Sequence, residues 1–299
     1  MRRGWLALLA LVPVPAAISL AQDGFFASSD GMIHLYRLFE LDRALRAGIL
    51  YPRWFPLSGY GYGLPVLNYY PPLAYYLSEL FHFAGAGYIA SIKLSIALGF
   101  LVAAYSMFLF ARDLLGDAPA FVAAVAYVYL PYLLSDAYVR GNFPEFLAMA
   151  LLPLALWAFR RLFGSEATQV AATTAQSRPS ATDLADGGRL RARVAAISIA
   201  REQILVALGV SRPFGLAQGM LGDLVGAVFN RRVAIAALVF ATIILMHHLT
   251  AMLFAALLIA YVFFLFAIRR DWKALLAAAV AILLALALSA FYWLPAIAE

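Results

Sequence analysis

Long apolar runs separated by short polar intervals dominate this sequence. Seven of them are predicted to be membrane-spanning helices, at residues 5–21, 88–110, 119–134, 146–159, 233–246, 251–268 and 274–294. Several of these runs approach or exceed the roughly 18 apolar residues with which a helix can cross a bilayer. A transmembrane β-barrel would instead show short strands of alternating polarity. The pattern therefore predicts an all-α polytopic membrane protein with about seven spans.

One polar interval, residues 22–87, is a predicted outer loop with juxtamembrane helices of its own. Residues 30–47 are predicted to form a helix that ends at Gly48, and a segment rich in Pro, Gly and Tyr follows. Residues 72–83 are apolar, but a helix of about 12 residues covers only some 18 Å of a hydrocarbon core about 30 Å thick. We therefore expect that helix to lie in the membrane plane.

The interval 164–230 differs in composition from the rest of the chain. Residues 169–185 are rich in Ala, Thr and Ser, which is typical of disordered segments, and residues 189–208 place Arg among apolar side chains. The second part could be a basic helix on the membrane surface or an unstructured insertion. The pattern thus predicts a cytoplasmic, partly disordered insertion between two membrane parts, residues 1–163 and 231–299. Because the chain stops where its last span ends, we expect the second part to continue in a longer protein.

Composition and charge support a membrane protein and indicate its orientation. Apolar residues make up 65% of the chain and charged residues 13%, and the net charge is +6. The Arg pairs stand at helix ends, so the positive charge reflects topology and predicts no nucleic-acid partner. The positive-inside rule places the N-terminus inside a cytoplasmic membrane, with residues 5–21 as a signal anchor or a cleavable signal peptide. The absence of Cys excludes disulfides and thiolate zinc sites.

The helix predicted at residues 30–47 contains the first candidate site residues. Asp30, His34 and Arg37 follow one another at i, i+4 and i+7, so their side chains share one helix face. Asp30 is a candidate general base or metal ligand. An Asp that precedes an apolar-periodic run is also a favoured N-cap, and both interpretations stay open.

Other polar side chains are predicted on the same extracytoplasmic side. These are Arg53, Arg140, Glu145, His247 and His248. Arg140 and Glu145 flank a turn, where they could form a structural salt bridge or where the Arg could bind a phosphate. A pair of His residues at the edge of the membrane is costly and usually faces a cavity. Adjacent residues point about 100° apart on a helix, so His247 and His248 make a poor metal pair by themselves, and the metal ligands remain unassigned.

Several motifs support a family resemblance. They are S-D-G-M-I-H-L-Y-R at 29–37, Y-P-R-W at 51–54, G-Y-G-L-P at 61–65, Y-Y-P-P-L at 69–73 and Y-V-R-G-N-F-P-E at 138–145. With them, most of residues 1–163 and 231–299 resembles bacterial membrane proteins described as 6-pyruvoyl-tetrahydropterin synthase-related. Soluble pterin synthases need a zinc-binding His cluster that this sequence lacks, so pterin chemistry is not expected. The order of parts, with an acidic residue early in a large outer loop and a later Pro-Pro-Leu element, is also similar to the GT-C membrane glycosyltransferases.

The resemblance to GT-C enzymes implies a fold, a reaction and a set of roles. The chain would be a GT-C-like N-terminal part that transfers a sugar from a polyprenyl-phosphate donor, with inversion, on the extracytoplasmic face. Asp30 falls where those enzymes keep their catalytic acid, so it would deprotonate the acceptor hydroxyl or help to hold a divalent cation, Mg or Mn. An Arg on the same side would stabilise the leaving phosphate. The implied partners are membrane lipids, the lipid-linked sugar, and a glycan, lipid or protein acceptor.

Two other functions compete with glycosyl transfer. A transporter or flippase for a lipid-linked intermediate would also use His and Arg at membrane depth. Such a protein should show internal repeats, and the sequence contains no convincing repeat. A non-catalytic membrane scaffold is the third possibility.

The topology gives the first testable prediction. Residues 22–71 should lie outside the cytoplasm and residues 164–230 inside, because that orientation places the Arg pairs on the inner side. Cysteines introduced as Ser58→Cys and Ser177→Cys, and labelled in intact cells with an impermeant reagent, test this orientation. The cysteine at position 58 should react and the one at position 177 should not, and the opposite pattern would refute the topology.

Overall fold

The computed structural model describes residues 3–164, 226–228 and 230–298, and this part of the chain is helical. An isolated antiparallel β-bridge between Phe55 and Leu64 closes the Pro- and Gly-rich segment of the outer loop. The predictions of disorder at 169–185 and of a basic helix at 189–208 fall outside the described residues.

The first half of the chain contains a broken N-terminal helix, three short loop helices and the start of the bundle. Its elements are α1 (Arg3–Leu11), α2 (Val14–Ala17), α3 (Gly31–Arg46), α4 (Val66–Tyr69), α5 (Leu73–Phe83), α6 (Tyr88–Leu115), α7 (Asp117–Val128), α8 (Pro131–Ser135) and α9 (Phe143–Arg160). One turn of π-helix, Asp136–Arg140, follows α8. The predicted helix at 30–47 is confirmed as α3, and Gly48 follows it with a φ of 84°.

The described residues from 231 to 298 form four apolar helices. These are α10 (Arg231–Met246), α11 (His248–Arg269), α12 (Trp272–Leu288) and α13 (Ala290–Ala298). A break at His247 separates α10 from α11, and α12 and α13 meet at an angle of 69°.

In the part of the chain that the structure describes, four helical segments are long and apolar enough to cross a membrane. They are Tyr88–Leu115, Asp117–Arg140, Phe143–Arg160 and His248–Arg269, and the bent pair α12–α13 raises the number to five if it counts as one span. A polytopic membrane protein is therefore confirmed, but the count of seven is not. The run at 5–21 is divided because Pro13 begins a new helix, and α10 has only 16 residues. The helix at 73–83 has 11 residues and is likewise too short to span.

The bundle is built around α6, which packs along α7 on one side and along α9 on the other. Gly99 allows α6 and α9 to approach closely, because a Cβ atom at this position would lie 2.4 Å from Phe146 Cε1. Phe100 contacts the same ring edge to face, with centroids 4.7 Å apart. The α9 helix in turn packs on α10, and α10 on α12. The fully buried N-terminal end of α9 is thus fixed against several elements.

The close approach at Gly99 gives a stability prediction. Gly99→Ala should destabilise the protein by about 1–3 kcal/mol, because overpacking a tight contact outweighs the gain in helix propensity of about 1 kcal/mol. Gly4→Ala in α1 is the matched control, since a Cβ atom there meets nothing within 4 Å. Thermal unfolding in detergent should show a loss for position 99 only. Equal unfolding temperatures for the two variants would contradict this packing.

Candidate functional site

A cavity of about 280 Å³ lies where the beginning of α3, the π-helical turn, the beginning of α9 and the break before α11 meet. It is lined by Asp30, Ile33, His34, Arg37, Tyr70, Arg140, Asn142, Glu145, His247 and Leu249. Six of the eight predicted site residues are in this set. Segments more than 100 residues apart in the sequence therefore supply the wall of one cavity.

Two backbone hydrogen bonds join the outer loop to the bundle at this cavity. The Ser29 N–H donates to the Val139 carbonyl at 3.0 Å, and the Asp30 N–H donates to the Arg140 carbonyl at 2.7 Å. Gly141 makes the junction possible, since its φ is 70° and a Cβ atom there would lie 2.5 Å from Ser28 Oγ. The backbone of Asp30 is therefore held directly beside that of Arg140.

Asp30 occupies the N-cap position of α3, but its side chain makes no cap hydrogen bond. Asp30 is one of the residues that line the cavity. The favoured N-cap residues stabilise a helix through a side-chain oxygen that accepts a backbone N–H, and that contact is not formed here. The side chain is thus placed to meet a ligand in the cavity.

A hydrogen-bonded group of three side chains forms the basic side of the cavity. His34 Nδ1 lies 2.7 Å from the Tyr75 hydroxyl oxygen, and Arg37 Nη1 donates to the same oxygen at 3.1 Å. The Arg37 guanidinium also stacks over the Tyr70 ring, 4.3 Å from its centroid. Tyr75 is buried on α5, and its hydroxyl holds the side chains of His34 and Arg37 on α3. Arg37 is thereby held as an oriented cation at the cavity.

His34 is neutral at physiological pH. Only 2% of the residue is exposed, and burial, with the charge of Arg37 as the second cause, lowers its pKa from 6.5 to about 3. Because Arg37 donates to the Tyr75 oxygen, the hydroxyl proton is available for His34 Nδ1, which places the ring proton on Nε2. His34 Nε2 makes no hydrogen bond of normal length to the described residues. A hydrogen-bonding interaction with the Asn142 side chain partly counters this lowering of the pKa, so His34 contributes a neutral, buried ring at the cavity.

The opposite side of the cavity is an ion-pair network around Arg140. Its Nη1 lies 3.0 Å from Glu145 Oε2 and 3.0 Å from Asp136 Oδ1. It also donates to the Tyr132 hydroxyl at 3.0 Å, and Tyr132 donates to Glu145 Oε1 at 2.8 Å. Asp136 is fully buried and Arg140 is 40% exposed, so one part of the guanidinium is anchored while another remains accessible.

Asn142 connects the two sides. Its amide nitrogen donates to Glu145 Oε2 at 3.0 Å, and its oxygen accepts from the Tyr70 hydroxyl at 3.2 Å. Tyr70, Tyr75 and Asn142 were not among the predicted site residues. Tyr70 and Asn142 belong to the motifs at 69–73 and 138–145, so these motifs could have identified them as candidate site residues. Tyr75 had no such signal, because periodicity does not show which Tyr of α5 faces α3.

The remaining predicted residues have different positions. His247 lines the cavity as the N-cap residue of α11, where its Nδ1 lies 2.9 Å from Thr250 Oγ1. His248 begins α11 and its ring lies 6.5 Å from that of Tyr292, outside the cavity lining. Arg53 is exposed in the outer loop and is likewise outside the lining.

A second and larger cavity, of about 630 Å³, lies at the other ends of α9, α10 and α11. Its lining includes Arg160, Arg161, Arg232 and Arg269, with Asp113 as the one carboxylate. The predicted clustering of Arg pairs at one end of the bundle is thus observed. Its lining contains one carboxylate and no His, whereas the lining of the cavity around Asp30 combines two carboxylates with two His residues, so the smaller cavity is the better candidate site.

Comparison with known proteins gives one match. The sequence model of a family described as "6-pyruvoyl-tetrahydropterin synthase related domain; membrane protein" matches residues 67–175. That range includes Arg140, Asn142 and Glu145 and excludes Asp30. No curated protein and no solved structure matches the chain. The family match and the long apolar helices agree that this is a membrane protein.

The neutral state of His34 gives a pH prediction. Below about pH 6.5 the unfolded chain binds a proton at His34, whereas the folded chain does so only near pH 3, so acid favours unfolding. Between pH 6.5 and 4.5 this single site should remove about 2 kcal/mol of stability. His34→Asn, which keeps an acceptor for Tyr75, should unfold with a correspondingly weaker pH dependence in detergent micelles. Identical pH dependence for variant and wild type would show that His34 is already protonated in the folded state.

Proposed function

We propose that this protein is a GT-C-like glycosyltransferase that takes a sugar from a polyprenyl-phosphate donor at the extracytoplasmic face of the membrane. The observation that supports this most is the single cavity in which Asp30, two Arg side chains and a neutral His meet at one end of a helical bundle. Group transfer from a lipid phosphate needs a base for the acceptor and cations for the leaving group.

The volume of the cavity suits the polar head of such a donor. At about 280 Å³, it lies just below the range of roughly 300–1,000 Å³ that is typical of small-molecule pockets. A sugar phosphate would occupy that space, and the polyprenyl chain would remain in the bilayer along the exposed apolar helix faces. Membrane lipids are therefore part of the proposed binding mode.

Arg37 and Arg140 are assigned to the donor phosphate. Each guanidinium has five N–H donors in a planar fork, and in both residues the contacts described above use Nη1. The other N–H groups can bind phosphate oxygens in the geometry that makes Arg a common phosphate ligand. Glu145 holds Arg140 in place. His247 and Asn142 complete the proposed head-group pocket.

Asp30 is assigned to the acceptor. Its carboxylate would remove the proton from the acceptor hydroxyl while the hydroxyl oxygen forms a bond to the anomeric carbon. The bond between that carbon and the phosphate oxygen breaks, and its electron pair leaves with the polyprenyl phosphate. Arg37 and Arg140 neutralise the charge that develops on the phosphate. Attack opposite the leaving group inverts the anomeric carbon, and the acceptor is a glycan, lipid or protein hydroxyl.

A divalent cation has few ligands in this cavity. Both Glu145 oxygens are engaged by Tyr132, Asn142 and Arg140, which leaves Asp30 as the carboxylate without such contacts in the cavity wall. The described residues contain one cluster of His and carboxylates with metal-ligand spacing, and it lies elsewhere. The proposed reaction therefore assigns charge neutralisation to Arg37 and Arg140 and routes no step through Mg or Mn.

The role of Asp30 is tested by Asp30→Asn. Transfer from a polyprenyl-phosphate sugar pool in membranes should fall by about 10²–10⁴, because an amide cannot accept the hydroxyl proton. Thermal stability should change by well under 1 kcal/mol, since the Asp30 side chain makes no cap hydrogen bond that the change could remove.

Asp23→Asn is the control for this experiment, because Asp23 is an exposed carboxylate outside the cavity. It should retain transfer. If Asp30→Asn also retains near-normal transfer, Asp30 has no catalytic role and the proposed mechanism is wrong.

A further inference from the structure

A second group of titratable side chains lies at the other end of α3, three helical turns beyond Asp30. Asp42 on α3 and Glu79 and His82 on α5 each offer a ligand atom, and these atoms all lie within 4.8 Å of one another. None of the three residues lines the cavity around Asp30. The proposed glycosyl transfer makes no use of them.

Glu79 is the first sign that this cluster holds a ligand. The residue is 1% exposed, and no N–H or O–H group of the described residues donates to either carboxylate oxygen. A buried carboxylate without such donors is costly, and the neighbouring Asp42 carboxylate adds repulsion. A bound cation would remove both costs.

His82 is arranged as metal-binding His residues usually are. Its Nδ1 lies 2.7 Å from the Ala86 carbonyl oxygen, which can only accept, so Nδ1 bears the proton and Nε2 is left with a lone pair. That Nε2 lies 3.8 Å from Asp42 Oδ1. The ring stacks on Tyr88 with centroids 4.1 Å apart, which fixes its direction. A backbone carbonyl that orients the far nitrogen is the common outer partner of a ligating imidazole.

Asp42 is oriented in the same way. The Tyr88 hydroxyl donates to Asp42 Oδ2 at 2.6 Å and leaves Oδ1 directed at the cluster. Oδ1 is paired with Arg46 Nε at 2.6 Å, and Arg46 Nη2 lies 3.4 Å from His82 Nε2. The Arg46 side chain is 59% exposed on a flexible stem, so it can swing into solvent. Arg46 thus contacts the same Asp42 and His82 atoms that a metal ion would bind.

We propose that Asp42, Glu79 and His82 bind a divalent transition-metal ion of the zinc class, with Arg46 as a displaceable competitor. One imidazole and two carboxylates suit Zn²⁺, whereas Mg²⁺ prefers oxygen ligands alone. The ion would connect the last turns of α3 to α5. It would thereby hold α3, the helix that begins after Asp30, against α5.

Isothermal titration of the metal-stripped, detergent-purified protein with chelator-buffered Zn²⁺ tests the proposal. One Zn²⁺ should bind per chain and raise the unfolding temperature, and Mg²⁺ at the same concentration should do neither. Absence of saturable Zn²⁺ binding, or an equal response to Mg²⁺, would overturn the assignment.

Variants locate the site. Glu79→Gln should weaken Zn²⁺ binding by about 10-fold or more, and Arg46→Gln should strengthen it because the competing cation is gone. The second variant keeps the test decisive if the first fails to fold, since weaker binding in Arg46→Gln contradicts the proposal. His248→Asn is the matched control and should bind Zn²⁺ like the wild type. Loss of Zn²⁺ binding in that variant would show that the ion binds at His248 and not at the proposed site.

Discussion

The hydrogen bond from the Asp30 N–H to the Arg140 carbonyl is the constraint on which the candidate site depends. It joins a loop helix to the π-helical turn before α9, and Gly141 leaves room for the two backbones to come so close. Every side chain on the α3 face, including His34 and Arg37, is placed relative to Arg140 and Glu145 through this contact. The α9 helix that follows the turn begins at the fully buried Phe143.

The charges around the cavity follow from burial. His34 is too buried to be protonated, so the positive charge comes from Arg37 and Arg140, each held by aromatic hydroxyls or carboxylates. A neutral His beside two oriented guanidiniums favours an anionic ligand without placing three cations in a small volume. The two carboxylates of the cavity differ in their hydrogen bonds. Both Glu145 oxygens have partners, whereas the Asp30 side chain makes no cap hydrogen bond.

Spacing in the sequence was sufficient to predict α3 and its polar face, because i, i+4 and i+7 positions coincide on any helix. Placing Arg140, Glu145 and His247 on the same side followed from the Arg pairs at the opposite helix ends. Hydropathy left the number of spans open between the seven predicted runs and the four or five long apolar helices of the described residues, since an apolar run such as 5–21 does not reveal where Pro13 divides it. Sequence reasoning also missed Tyr75, and it included Arg53 and His248, which do not line the cavity. Only tertiary packing decides where these side chains lie.

The most direct measurement of the central claim is a structure of the protein in lipid with a polyprenyl-phosphate sugar bound. The account predicts the phosphate within hydrogen-bond distance of Arg37 and Arg140, the sugar inside the cavity of about 280 Å³, and the anomeric carbon on the side of Asp30. A donor bound at the Arg-lined cavity between Arg160 and Arg269, with the Asp30 cavity unoccupied, would contradict it.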